Sequence, residues 1–158
     1  EEEIPVAAVQ VGDRVRVHGF VGQAPMLEFI GRSGASTDLC GEKLTEAFVL
    51  RTLQQLQLRF GALALDAPGL RYVLMSDHAE RLPAAEDEVL GRVEQGLSRN
   101  PQYAHARRIG QLNPVCLHRI ERPLLRWTRL RQAAGQRLGD IKPPVLIGDA
   151  DRRAMLLP

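Results

Sequence analysis

"ALALDAPGLRYVLMSD", residues 62–77, sets two apolar runs on either side of Pro68-Gly69. A Pro-Gly pair is strong turn punctuation. The stretch reads as two strands joined by a tight turn. Before it, "LTEAFVLRTLQQLQLRF" (44–60) puts Leu44, Phe48, Leu53, Leu56 and Phe60 on or near one face. That spacing predicts a helix of about four turns, opened near Thr45 and closed by Gly61. After it, residues 79–100 read as a helix with its acidic residues early, where they suit the macrodipole. Asn100-Pro101 breaks that helix. "QYAHARRIG" (102–110) is a short second piece ending at Gly110, and "PVCLHRI" (114–120) is a strand, with Val115, Leu117 or their neighbours buried. "PLLRWTRLRQAAG" (123–135) is a helix with Pro123 in its first turn and Gly135 at its end. "DIKPPVLI" (140–147) reads as extended.

Upstream, "RVRVHGF" (14–20) alternates, with Val15, Val17 and Phe20 on one side and Arg14 and Arg16 on the other. "VGQAP" (21–25) supplies a turn through Gly22 and Pro25, and "MLEFIG" (26–31) returns. Asp13 lies just before the first strand of this hairpin and Arg32 just after the second. "RSGASTDLCGEK" (32–43) is a loop by its small and polar residues. The order is hairpin, helix, two strands, helix, strand, helix. It predicts an α+β domain: an N-terminal β-hairpin, then a small mixed sheet with helices packed on one of its faces. Neither a repeat nor an internal boundary interrupts the pattern.

The chain has 158 residues, a length that suits one domain. Its 44% apolar and 25% charged residues are ordinary for a soluble globular protein, and a net charge of +2 gives no electrostatic reason to expect nucleic acid. Aromatics are 4% of the chain, so stacking platforms for bases are scarce. Cys40 and Cys116 are the two cysteines, with no CxxC or His spacing, and read as free thiols in a reducing, cytoplasmic compartment. His18, His78, His105 and His118 lie far apart, so no metal site is expected. No apolar run is long enough to span a bilayer, so no membrane association is expected either. "EEEIPVAAVQ" (1–10) lacks a signal peptide's basic and apolar regions, and it lacks an initiator Met; the chain reads as processed or cut from something longer.

Four residues stand out for chemistry. Asp13 beside Gly12 could accept two hydrogen bonds from adjacent ribose hydroxyls, as acidic residues do in nucleotide sites. Its plainer role is to bond its own backbone in a turn. The Arg32 guanidinium could hold ribose or phosphate oxygens bidentately, or simply be solvated at a strand end. Lys142, in "GDIKPP" (139–144), could stabilise charge developing at a phosphate, with Pro143-Pro144 stiffening the backbone after it. The plainer alternative is a surface lysine in a proline-rich segment. Lys43, in "GEKLTE" (41–46), could be a second phosphate ligand, or a helix-start residue paired with Glu42 or Glu46. Arg107-Arg108 reads as a solvated face, and Trp127 as core or partly buried against a neighbouring helix.

Jointly, these segments resemble a known family. "GDRVRVHGFVGQAPMLEFIGR" (12–32) is similar to the Gly-Asp, Val-x-Gly-Phe, Ala-Pro, Glu-Phe, Arg run of the acyl acid amido synthetases of the plant auxin-responsive-promoter family and their bacterial relatives. "GEKLTEAFV" (41–49), "NPQYAHARRIGQL" (100–112) and "GDIKPP" resemble further segments of that family, in the family's order. These enzymes belong to the adenylate-forming superfamily, with luciferase and acyl-CoA synthetases. The resemblance implies activation of a carboxylic acid by ATP and magnesium to an acyl adenylate, then transfer of the acyl group to an amino acid. It implies that residues 1–158 are a single C-terminal lid domain including its hinge hairpin (1–32). The large N-terminal domain, which carries most ATP and magnesium contacts and the acyl pocket, would be this domain's partner. Asp13 then matches the ribose-binding aspartate and Arg32 the arginine just past the hinge that reaches the nucleotide. Lys142 matches the mobile-domain lysine that approaches the α-phosphate, and Lys43 a family lysine in the same loop. The isolated chain is expected to be inactive. Val9 and Gln10 stand where plant members carry an aromatic and an arginine, and Val145 where an arginine often follows the lysine. Two other readings fit the segments: a non-catalytic interaction or regulatory module of the same fold, and a ligase with a thiol acceptor.

Overall fold

The structure, a computed structural model, describes residues 13–32 and 36–157, with backbone alone at 13–16 and 27–32. The chain divides into two compact units, residues 1–34 and 35–158. In the first, β1 (Asp13–Val21) and β2 (Ala24–Arg32) pair as an antiparallel hairpin. Its two-residue connection begins at Gly22 with φ of 63°, a backbone angle glycine adopts without strain. The turn is therefore Gly22-Gln23, and Pro25 lies inside β2. The ladder shifts register between Arg14 and Val15 and again between Val17 and Gly19. The second shift places Val17 opposite Leu27 and Phe20 opposite Pro25. A bulge at His18 thus brings Val17 and Phe20, three apart in sequence, to one side of the ladder.

The second unit is α+β. β5 (Gly61–Asp66) and β6 (Arg71–Asp77) form the antiparallel centre of a four-stranded sheet. The Pro68-Gly69 turn joins them, closed by the Leu70 N–H on the Ala67 carbonyl at 3.1 Å. β7 (Cys116–Ile120) adds parallel to β6, and β8 (Leu146–Ile147) parallel to β5, giving the order β7-β6-β5-β8. A separate two-stranded ribbon, β3 (Ser36–Thr37) with β4 (Leu44–Thr45), encloses the 38–43 loop. Among the described residues no helix is long and apolar enough to cross a membrane.

Helices cover both faces of the sheet, not one. Tyr72, Val73, Leu74 and Met75 are each 0% exposed, so consecutive residues of β6 are buried whichever way they point. Such a strand needs a cover on each side. On one side, Leu63, Tyr72, Leu74 and Leu146 pack with α1 (Glu46–Gln54), α2 (Glu86–Leu97) and α3 (Pro101–Arg108), through Val49, Leu53, Val93, Leu97 and Tyr103. On the other, Ala62, Ala64, Val73, Met75, Ile120 and Ile147 meet Trp127 and Leu130 of α4 (Pro123–Ala133) and Met155 of α5 (Asp149–Leu156).

The first helix is shorter than its apolar spacing suggested. The Thr45 hydroxyl caps it by accepting the Phe48 N–H at 3.3 Å. It ends at Gln54, and Gln57 turns left-handed with φ of 55°. Leu56 and Phe60 are still buried, from the turn that follows, and Gly61 opens β5. α2 ends at Leu97, and Asn100 starts α3, its side chain accepting from the Gln102 N–H at 2.9 Å and the Tyr103 N–H at 3.2 Å. The segment read as extended holds a 3-10 turn (Leu138–Asp140) before β8, and α5 follows it unforeseen. Asp149 and Asp151 in the first turn of α5 suit the positive end of its dipole.

α5 is locked to the sheet by Arg152, which is 7% exposed. Its guanidinium donates to the Leu65 carbonyl at 2.9 Å, to Asp66 at 2.8 Å and to Asp149 at 3.2 Å. Burial alone would raise the Asp149 pKa. The Arg152 hydrogen bond, the Ala67 N–H and the Arg153 charge outweigh it and hold the carboxyl below its ordinary value of 3.8. A carboxyl depressed in the folded state gives its full stabilisation above that value and loses it as pH falls through the lower folded one. Asp149→Asn should therefore destabilise the chain at pH 7 and flatten its stability loss below about pH 4, as read by urea midpoints across pH. A midpoint profile parallel to wild type would contradict the lock.

α1 and α2 cross where Gly96 faces Thr52. A β-carbon added at Gly96 would lie 2.4 Å from Thr52 Cγ2 and 3.2 Å from its Cβ. Gly→Ala inside a helix normally gains up to about 1 kcal/mol. Here overpacking, typically about 1–3 kcal/mol, should reverse the sign. Gly96→Ala is expected to lower the melting midpoint, and Thr52→Ala in the same chain to recover most of it. A rise in the midpoint on Gly96→Ala alone would overturn this packing account.

Candidate functional site

Lys142 sits in the loop between the 3-10 turn and β8, with its side chain exposed. Its backbone is held. The Trp127 indole N–H donates to the Lys142 carbonyl at 2.9 Å. Pro143 and Pro144 fix their own φ angles, and Pro144 is buried. One residue further, the Val145 carbonyl accepts the Leu63 N–H at 2.8 Å, and β8 begins. A cation is thus presented to solvent from a pinned backbone, an arrangement suited to meeting an anion at a set place.

Lys43 lies in the 38–43 loop, exposed and left-handed with φ of 44°. Its neighbour Glu42 is turned inward, so the two do not pair, and among the described residues Lys43 makes no ion pair with Glu46 either. Glu42 is 1% exposed. Its carboxylate accepts the Leu39 and Cys40 N–H groups, both at 2.7 Å, and the Tyr72 hydroxyl. Thr37 donates to the same hydroxyl at 3.1 Å, and the Asn100 amide donates to the Glu42 carbonyl at 2.7 Å. Burial, then the Glu42 hydrogen bond, push the Tyr72 phenol far above its ordinary range, so it stays a donor. Burial and the charges of Glu42 and Asp38 also push the Cys40 thiol up, the opposite of an activated nucleophile. Glu42 was not foreseen as a structural centre. The one signal available was a carboxylate beside a glycine at the close of a loop.

Asp13 and Arg32 lie inside the strands, as the first residue of β1 and the last of β2, and they are directly opposed in the ladder. The hairpin therefore brings together two residues that are 19 positions apart in sequence. They belong to the unit of residues 1–34, while Lys43 and Lys142 belong to that of 35–158. Arg107 is not a solvated residue. It donates to Glu94 at 3.3 Å and to the Leu112 carbonyl at 2.7 Å, while Arg108 is exposed. Glu94 also accepts the Tyr103 hydroxyl at 3.0 Å and the Val115 N–H at 2.7 Å, tying α2, α3 and the approach to β7.

No family model and no curated protein matches this sequence. Among solved structures it is similar to a protein described as GH3.15 acyl acid amido synthetase. The TM-score is 0.63 over 92% of this chain, at 18% identity. The chain spans 30% of that protein's length. At this identity the likeness establishes the fold, an α+β arrangement of a small mixed sheet with helices, which agrees with the sequence pattern.

The Glu42 cluster makes a direct prediction. Leu39 and Cys40 donate to different oxygens of Glu42, so Glu42→Gln keeps one acceptor and turns an NH2 toward the N–H that used the other. It should cost about 1–3 kcal/mol in urea unfolding. It should also let Cys40 react with iodoacetamide at lower pH, because the Glu42 charge helps hold the thiol protonated. An unchanged urea midpoint and alkylation profile would contradict this role.

Proposed function

We propose that this chain is the lid domain of an adenylate-forming acyl acid amido synthetase of the auxin-responsive-promoter type, working in the cytoplasm beside a large N-terminal domain. The observation that carries the reading is Lys142, an exposed cation on a pinned backbone, in a fold shared with part of a protein described as an acyl acid amido synthetase. The order of the four resembling segments supports it.

In this reading a carboxylate oxygen of the acid attacks the α-phosphorus of ATP, the bond to the β-phosphate breaks, and pyrophosphate leaves. The amine of an amino acid then attacks the acyl carbon, AMP leaves, and the amine loses a proton. The first step brings negative charges together. Lys142 offsets that repulsion at the α-phosphate, and a group fixed in advance does so without reorganising. Asp13 accepts from the ribose hydroxyls, Arg32 holds nucleotide oxygens, and Lys43 is a second cation toward phosphate. Magnesium, when bound, shields the leaving pyrophosphate. Among the described residues no group of three or more His, Cys, Asp or Glu side chains is placed to hold a metal ion.

The test uses the full-length polypeptide containing this chain and measures acid-dependent exchange of pyrophosphate into ATP over a panel of carboxylic acids. Lys142→Ala should lower the exchange rate about 10²–10³-fold, the usual loss for one transition-state charge stabiliser. Asp13→Ala and Arg32→Ala should chiefly raise the ATP KM, and residues 1–158 alone should show no exchange. Wild-type exchange from Lys142→Ala, or turnover by the isolated chain, would overturn the proposal.

A further inference from the structure

We propose that Trp127 is a positioning residue for Lys142, the end of a relay that runs from α5 through α4 to the lysine loop; this rests on the role given to Lys142 above. Trp127 is the chain's one tryptophan. It is half-buried, its ring against the Val73–Met75 side of the sheet, so packing accounts for the ring. Packing does not account for the indole N–H, which reaches out of the core to the Lys142 carbonyl at 2.9 Å.

The residues around that bond make it the tie of the loop. Pro143 and Pro144 carry no N–H, so neither donates a backbone hydrogen bond to hold the segment. The next backbone bond toward the C-terminus is that of Val145 to Leu63, and the last toward the N-terminus is Ile141 N–H to the Leu138 carbonyl at 3.3 Å. Between them, among the described residues, the Trp127 bond fixes Lys142. The indole is itself held. The Arg131 guanidinium lies 5.0 Å over the ring, and Arg131 pairs with Asp151 of α5 at 2.9 Å. A phenylalanine would keep an aromatic ring against the sheet and lose the donor.

The test is a double-mutant cycle in the full-length polypeptide, read by acid-dependent ATP–pyrophosphate exchange with melting midpoints beside it. Trp127→Phe should lower the maximal rate about three- to tenfold, the worth of one hydrogen bond, with the ATP KM within about twofold. In a Lys142→Ala background the same change should alter the rate by less than about twofold, because a residue acting through Lys142 has nothing left to position. Equal losses in both backgrounds would mean Trp127 supports the fold alone and would overturn the inference. So would a wild-type rate for Trp127→Phe when Lys142→Ala is impaired, and that result leaves the proposed function standing. Full exchange from Lys142→Ala overturns the function itself. Should Trp127→Phe not fold, Arg131→Ala, one link further from Lys142, takes its place in the cycle with the same outcomes.

Discussion

The architecture depends on the burial of β6 from both sides. Four consecutive residues, Tyr72 to Met75, are out of contact with water, and a strand alternates its side chains between faces. One layer of helices could cover Tyr72 and Leu74 but would leave Val73 and Met75 wet, at about 1.5–3 kcal/mol for each large apolar side chain. The second layer, α4 and α5, is therefore as necessary as the first. It is also the layer that carries Trp127, and so the layer that holds Lys142. The apolar demand of one central strand and the placement of the candidate reactive cation are thus joined by a single helix.

Two loops present the two lysines, and they are built differently. The 38–43 loop closes on a buried carboxylate: Glu42 gathers backbone N–H groups and a phenol, and turns the adjacent Lys43 outward in a left-handed conformation. The 139–145 loop closes on prolines and one indole N–H. The first is held by charge-assisted hydrogen bonds in a dry setting, the stronger kind. The second is held by a neutral bond near the surface. Arg152 and Glu94 do for the sheet edge and the α2–α3 corner what Glu42 does for its loop. Each is a charged side chain committed to several backbone or side-chain partners at once.

Much of this was legible in the residues. The Pro68-Gly69 turn, the Asn100-Pro101 junction and the bounds of α4 follow from local chemistry that the tertiary fold does not overrule, whereas the helix expected over 79–100 spans only Glu86–Leu97. The second helical layer was not read, although "YVLM" and "ALAL" carry the signal. A continuous apolar run differs from an alternating one because it must be covered twice. The first helix was overextended because Leu56 and Phe60 keep helical spacing while packing from a turn; spacing reports burial, and burial does not require helix. α5 was missed because its cohesion comes from Arg152 reaching back to Leu65 and Asp66, contacts between residues far apart in sequence. Asp13, Arg32, Lys43 and Lys142 were picked out from residue type and resemblance. What sequence could not supply was their support: that Asp13 opposes Arg32 in one ladder, that Glu42 turns inward, and that Trp127 reaches Lys142.

The account's central claim is that Lys142 meets a nucleotide. The most direct measurement is differential labelling of the two lysines of this chain, Lys43 and Lys142, in the full-length polypeptide with an amine-reactive reagent. Peptide mapping would follow, with and without saturating magnesium–ATP. The account predicts that Lys142 labels readily in the free protein and is protected when magnesium–ATP is bound. Equal labelling of Lys142 in both conditions, with ATP binding verified in the same sample, would contradict it.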